Sequence, residues 1–222
     1  MVTITCYSDI PGWGNFHRCH TRLVSQLPSN ATILEIGAGF GRGTWTLLDV
    51  MSEAMRLTVV DSFKLSSQHL WQQFCKNGSA LTLDRSSTTQ FDEMTADFSQ
   101  KELFLQSVSQ HRNYSQIEKV YAITSDFYMG FNRRPVFDLV FLDGSHEFDV
   151  VRRELEYFKH STLLTGHDYI NEDCVDVKRA VDDFMLHNPN KTFVYYPIDD
   201  VYVIHNTNFK FCKTPVPLAD SR

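Results

Sequence analysis

The sequence predicts an α/β domain built on a doubly wound, mostly parallel sheet that is closed by an antiparallel C-terminal hairpin. Three observations carry that expectation. Short apolar runs that stop at glycine or an acid alternate along the chain with amphipathic helical patterns, as in successive βαβ units. The first run, ATILEIG, passes through the glycine turn GAGFGRG straight into a helical pattern. The last two runs, TFVYYPID and DVYVIHN, are separated by an aspartate pair, which predicts a hairpin.

Each element follows in order. Phe16, His20, Leu23 and Leu27 recur at helical spacing, so residues 15–27 read as an amphipathic helix in an N-terminal region spanning 1–30. Pro28-Ser29-Asn30 ends it. ATILEIG is the first strand, TWTLLDVMSEAM a helix, and RLTVVDSF a second strand that ends in Asp61. Residues 62–116 are polar and mixed; they read as a crossover enlarged by an insertion, with helical stretches SSQHLWQQFCKN and SQKELFLQSVSQH. KVYAITSD and VFDLVFLDGSH are the third and fourth strands. DVVRRELEYFKH puts Val151, Leu155 and Phe158 on one face, so it packs on the sheet as a helix. LLTGHDY is the fifth strand and its end, and CVDVKRAVDDFMLH gathers Val177, Ala180, Val181 and Phe184 into another helix. Residues 207–222, with two prolines, read as a tail. The 222 residues fit a single domain, and no repeat or low-complexity linker divides them.

Composition excludes several function classes. The formal net charge is −6 and the basic residues are scattered, with adjacent arginines such as Arg133-Arg134 reading as solvated loop. Phosphate backbones need a basic face, so nucleic acid is not an expected partner. The five cysteines, Cys6, Cys19, Cys75, Cys174 and Cys212, are odd in number and contain no C-x-x-C pair or zinc-like spacing. Such sparse thiols suit a reducing cytoplasm. The N-terminus does not read as a signal peptide, and no apolar run reaches the ~18 residues that a membrane span needs. Oligomeric state is left open.

The glycine turn carries the first functional signal. Glycines between a strand and a helix let the backbone turn sharply and approach a ligand closely. Asp61 ends the next strand about 20 residues on, where a ribose-binding acid belongs. A P-loop is excluded because there is no G-K-[ST]. For a dinucleotide, the third glycine of G-x-G-x-x-G would fall at Arg42; the glycines here are Gly37, Gly39, Gly41 and Gly43. Glu35 precedes the first of them. An anion there favours a cofactor carrying ammonium and sulfonium, S-adenosylmethionine, over the pyrophosphate of NAD; the plainer reading is a salt bridge to a neighbouring base. An NAD-dependent oxidoreductase and a non-catalytic cofactor-binding protein stay open as alternatives.

ILEIGAGFGRGT, VVDSF, ITSD, FDLVFLDGSHEFDVVRREL, TGHDY and DVKRAVDDF occur in the order seen in class I S-adenosylmethionine-dependent methyltransferases, and the chain over roughly residues 10–205 resembles the methyltransferase-24 type. The D-G-x-H element followed by G-H-D-Y is the most specific part. The resemblance implies a Rossmann-like, seven-stranded sheet with a reversed final hairpin. It implies that Glu35, Gly37, Ala38, Gly39 and Gly41 line the methionine and ribose of the cofactor, that Asp61 and Ser62 serve the ribose, that Ser125 and Asp126 sit beside the adenine, and that Asp143 lies near the reactive methyl. The family often has a serine at the position of Gly43 to hold the cofactor carboxylate; Thr44 is the available substitute.

Asp143, His146, His167 and Asp168 fall at or just past the carboxyl ends of strands four and five, where open α/β sheets bind ligands. Methyl transfer to a hydroxyl requires loss of the acceptor's proton, so His146 or His167 is expected as the base, with Asp143 beside the reacting atoms. Alternatively, Asp143, His167 and Asp168 hold a divalent cation, Mg²⁺ or Mn²⁺, that lowers the acceptor's pKa. Catechol-type and macrolide-sugar-type methyltransferases are similar in placing one acid after strand four and two ligands after strand five; the His167-Asp168 pair departs from their residue types. The expected activity is O-methylation of a small hydroxylated acceptor such as a sugar or phenol. Trp13, Phe16, Trp71, Tyr128 and Phe131 are candidates for its pocket.

Overall fold

A computed structural model describes residues 3–10, 12, 14–64, 99–131 and 136–207. The expected helical stretch SSQHLWQQFCKN, Trp13, Trp71, Arg133-Arg134 and residues 208–222 of the tail lie outside these residues. Strand β1 (Thr32–Ile36) is apolar on both faces except at Glu35, because helices cover both sides of it. Helix α2 (Arg42–Val50) follows, then β2 (Arg56–Val60), α3 (Gln100–Val108), β3 (Ile117–Tyr121), α4 (Ser125–Phe131), β4 (Leu139–Leu142), α5 (Phe148–Phe158), β5 (Leu163–Gly166), α6 (Val175–His187), β6 (Lys191–Tyr196) and β7 (Val201–Asn206); α1 (His17–Val24) precedes β1.

The seven strands lie in the order β3-β2-β1-β4-β5-β7-β6. β1 to β5 are mutually parallel, and β7 runs antiparallel to both β5 and β6. The chain leaves β1 toward β2 on one side and returns on the other as β4, so the topological switch lies between β1 and β4, where such sheets open a crevice. One face of the sheet packs Ile33, Leu57, Val59 and Phe141 against Leu23, Leu47, Leu48 and Phe104 of α1, α2 and α3. The other packs Leu34, Val140 and Leu164 against Leu155, Phe158, Val181 and Phe184 of α5 and α6. Burying one leucine-sized side chain is worth about 1.5–3 kcal/mol, so the two clusters supply the main driving force.

Three boundaries differ from the expectation. Helix α1 stops at Val24 because its last turn tightens, with Gln26 N–H donating to Leu23 O and Leu27 N–H to Val24 O. Helix α2 begins inside the glycine turn and ends where Met51 turns extended (ψ 138°). Helix α4 takes Ser125 and Asp126, read as the end of the third strand, and begins as Tyr128 N–H reaches back to Thr124 O. The capping box at Ser99 and Glu102 opens α3, where a helical stretch was expected. No described helix is long and apolar enough to cross a membrane.

Candidate active site

One residue past each of four strands, the amide still donates across the sheet. Gly37 N–H reaches Val60 O (2.9 Å), Asp61 reaches Tyr121 O (3.1 Å), Asp143 reaches Ile36 O (2.8 Å) and His167 reaches Leu142 O (3.1 Å). Sheet bonding therefore sets these four residues in a row along the carboxyl edge. They border a cavity of about 1080 Å³, at the upper end of small-molecule sites.

On the β1–β2 side, the glycine turn approaches Asp61. Gly39 N–H donates to Asp61 Oδ2 (2.8 Å) and Phe63 N–H to Asp61 Oδ1 (2.6 Å). Burial raises the pKa of Asp61 in spite of these bonds. Gly37 has a left-handed backbone (φ 90°), and a β-carbon there would stand 2.1 Å from Asp143 O. Gly39 is also left-handed (φ 57°), yet a β-carbon on it would meet no protein atom within 4 Å. Ala38, Ser62, Ser125 and Asp126 line the same cavity. The Ser125 hydroxyl bonds the buried Glu154, and the Asp126 carboxylate is paired with Arg153 (3.1 Å) at the surface.

Two of the expected cofactor contacts lie outside the cavity lining. Gly41 caps α2 and lies outside the cavity lining; a β-carbon there would collide with Val108 of α3 at 2.7 Å. Thr44 is fully buried and also outside the lining, because Glu35 takes its hydroxyl: Thr44 Oγ1 donates to Glu35 Oε2 at 2.5 Å.

Glu35 shares the face of Ile33 by strand alternation, beneath α2. Burial pushes its pKa up to about 8; the Thr44 bond opposes this, and the carboxylates of Asp143 and Asp61 add to it. Burial therefore favours the protonated form of Glu35, against the standing anion that the sequence suggested. Its Oε1 has no hydrogen-bond partner among the described residues and abuts Gly43, where a β-carbon would come within 2.6 Å. Any side chain at Gly43 would require the Glu35 carboxylate to shift.

A pH test follows. The folded pKa is raised above the ordinary 4.5, so the folded chain keeps a proton that the unfolded chain releases. Stability is greatest below the unfolded value and falls as pH rises toward about 8. Glu154, pushed up to about 7 by burial, has the same sign. Glu35→Gln, neutral at every pH, should flatten the urea-unfolding free energy across this window. Parallel wild-type and variant curves would show that Glu35 is ionised in the fold.

On the β4–β5 side, four titratable groups converge. Asp168 is buried and left-handed (φ 62°), a conformation that aspartate tolerates better than most residues. Its Oδ1 accepts from His167 Nδ1 (3.1 Å) and Asn171 Nδ2 (2.8 Å), and its Oδ2 faces His146 Nε2 (3.0 Å). His167 Nδ1 also lies 3.5 Å from Asp143 Oδ1. Burial alone would lower the pKa of His167, but the bonds to Asp143 and Asp168 outweigh it and raise it to about 10. Burial likewise raises Asp143, and it would raise Asp168, which the two histidines and Asn171 instead hold well below the carboxylate range. The Asp168 bond raises His146, whose side chain is 47% exposed.

Some cavity residues were not singled out in the sequence. Arg42 Nε donates to Ile10 O (2.8 Å) and Nη1 to Gly14 O (3.4 Å), holding the N-terminal segment beside the glycine turn. Asn171, Asp173 and Cys174 return to the cavity through the 3-10 turn Glu172–Cys174. Nothing in their spacing marks them. Phe16 lines the cavity and sets its ring edge-on to His167 at 4.9 Å, whereas Tyr128 is buried away from the cavity against Tyr121.

No family model matches the chain, and no curated protein does. Solved structures do. A candidate O-methyltransferase from Klebsiella pneumoniae aligns over 90% of this chain and 84% of its own, with 14% identity and a TM-score of 0.56. The O-methyltransferase from Bacillus cereus in complex with S-adenosylhomocysteine aligns over 89% and 84%, at 13% identity and TM-score 0.53. The O-methyltransferase TomG from Streptomyces achromogenes, involved in tomaymycin synthesis and bound to S-adenosylmethionine, aligns over 88% and 80%, at 13% and 0.53. This likeness establishes the fold: a Rossmann-like, seven-stranded methyltransferase fold with an antiparallel C-terminal hairpin.

Proposed function

We propose that this protein transfers a methyl group from S-adenosylmethionine to the hydroxyl of a small acceptor, with His146 as the general base. One observation carries the reading: a single cavity runs from Asp61 and the open face of Gly39, past β2 and β1, to the His146–Asp168 pair beyond β4 and β5. The solved structures of this fold with bound S-adenosylmethionine or S-adenosylhomocysteine support the choice of cofactor.

The residues suit that cofactor. Asp61 would accept from the ribose hydroxyls, Gly37, Ala38 and Gly39 leave room for the methionine arm, and the unpartnered Oε1 of Glu35 lies on the wall beside them. Ser62 would serve the ribose and Ser125 and Asp126 the adenine; all three line the cavity. The bound cofactor supplies a sulfonium-activated methyl.

With its proton on Nε2, His146 donates to Asp168 and presents the Nδ1 lone pair. Asp168 fixes the ring and stabilises the imidazolium that forms when the acceptor's proton arrives. His167, protonated at neutral pH, balances the charge of Asp143 and Asp168.

A divalent cation at Asp143, His167 and Asp168 is the second reading, since one donor atom of each lies within 4.8 Å of the others. His167 weakens it: its Nδ1 proton already bridges the carboxylates that an ion would bridge.

S-adenosylhomocysteine should raise the melting temperature by mass action. Asp61→Ala should cost about 1–3 kcal/mol of that binding, because ribose hydroxyls and the Gly39 amide lose their acceptor. A thermal shift with NADH and none with S-adenosylhomocysteine would replace the reading by an oxidoreductase. Binding with no turnover across sugars and phenols would point to a non-catalytic binding protein.

A further inference from the structure

We infer that His146, Asp168 and Cys174 form a site for a borderline divalent cation such as Zn²⁺, and that an ion there takes His146 out of acid–base use. The consequence for His146 rests on the function proposed above; the site itself does not.

The three residues come from three places in the fold. His146 lies in the loop after β4, Asp168 just past β5, and Cys174 is the last residue of the 3-10 turn that leads into α6. Asn171 closes the connection: its Nδ2 donates to Asp168 Oδ1 (2.8 Å) and its Oδ1 accepts from Asp173 N–H (3.0 Å). That double contact folds the segment back on itself and returns Cys174 to Asp168. One ligand atom from each of the three lies within 4.8 Å of the others, and all three line the cavity. A tetrahedral ion with bonds of about 2.0–2.3 Å fits among donors at that spacing with small adjustments.

The donor set selects the ion. Thiolate, imidazole and carboxylate together suit Zn²⁺ or Co²⁺, whereas Mg²⁺ wants an octahedron of oxygens. Asp168 Oδ1 is occupied by His167 and Asn171, so Oδ2, the oxygen that faces His146, is the one left to ligate. Asp173 and Asp200 line the same cavity and add a negative field that attracts a cation. Three protein donors leave a fourth position open toward the cavity.

Proton balance gives the functional consequence. The ion binds Nε2 of His146, the ring proton moves to Nδ1, and the thiol proton of Cys174 leaves to solvent. His146 then has no lone pair with which to accept a proton from an acceptor hydroxyl. Base and ligand are mutually exclusive uses of one imidazole.

The test uses the metal-stripped full chain with Co²⁺ and no cofactor. Expected are one Co²⁺ per chain, a near-ultraviolet sulfur-to-cobalt charge-transfer band, displacement by Zn²⁺, and none by Mg²⁺ in large excess. Cys174→Ser should abolish the band while its circular dichroism and S-adenosylhomocysteine affinity stay at wild-type level. His146→Ala should weaken Co²⁺ by roughly tenfold or more, since even an outer-shell partner is worth that much. Absence of binding, binding without the band, a band that survives Cys174→Ser, or equal displacement by Mg²⁺ would each overturn the site. Failure of the methyltransferase reading would appear separately, as absent S-adenosylhomocysteine binding in the same protein.

Discussion

His146→Ala is expected to lower methyl-transfer turnover by about 10²–10⁴-fold, the range for loss of a general base, with S-adenosylhomocysteine affinity unchanged. His146 is the histidine of the cluster proposed for the task. His167 is held protonated between Asp143 and Asp168, whereas His146 is half exposed on the cavity and oriented by a single contact to Asp168 Oδ2 at 3.0 Å. The pH profile gives a second readout. The bond from Asp168 raises the pKa of His146 above 6.5, against burial and the charge of His167, and the base works only when neutral. Turnover should therefore climb with pH through a raised midpoint, and Asp168→Asn should move that midpoint down as it slows the rate. EDTA should leave metal-free enzyme fully active. If EDTA stops turnover, Mg²⁺ or Mn²⁺ restores it, and Asp143→Asn is nearly dead, the metal reading at Asp143, His167 and Asp168 takes the place of the base.

The second large effect separates two glycines that look alike in the sequence. Gly37→Ala places a methyl 2.1 Å from Asp143 O and 2.5 Å from Gly144 Cα, both backbone atoms that cannot rotate away. The ends of β1 and β4 would have to part, and alanine would also sit at φ 90°. Together, left-handed strain and overpacking amount to about 2–5 kcal/mol of stability. A β-carbon at Gly39 meets no protein atom within 4 Å, so the main expected cost to the fold of Gly39→Val is the strain of a left-handed β-branched residue, about 2 kcal/mol. Its side chain fills space that the cofactor needs, so S-adenosylhomocysteine binding should vanish in a folded protein. Urea unfolding and calorimetry on the pair decide the matter. A stable Gly37→Ala, or a Gly39→Val with wild-type affinity, would show that the turn is not packed or used in this way.

Much of this was legible from the chain alone, and for a local reason. Glycine, acid and apolar periodicity act within a few residues, so ATILEIG, the turn after it, and Asp61 at the next strand end could be read as one βαβ unit. The same locality predicted that Asp143, His146, His167 and Asp168 stand at strand ends, since VFDLVFLDGSH and LLTGHDY each stop there. The terminal hairpin was legible from its short connection. What the sequence left undecided depends on contacts between distant segments. The pKa of Glu35 is raised because α2 buries it, and no charge pattern in ILEIG reveals that. Thr44 serves Glu35 and Gly41 serves α3, although both sit in the motif that implied cofactor contacts. His146 and His167 are equivalent in the sequence, whereas the structure sets His167 between two carboxylates and leaves His146 half exposed. Cys174 had no spacing to mark it, because the turn that returns it to Asp168 is held by side-chain bonds of Asn171. Periodicity and turn chemistry are properties of neighbouring residues, so the sequence determined the order of elements and which residues end them. Burial, protonation and the pairing of charges are properties of neighbours in space, and only the packed tertiary structure decided those.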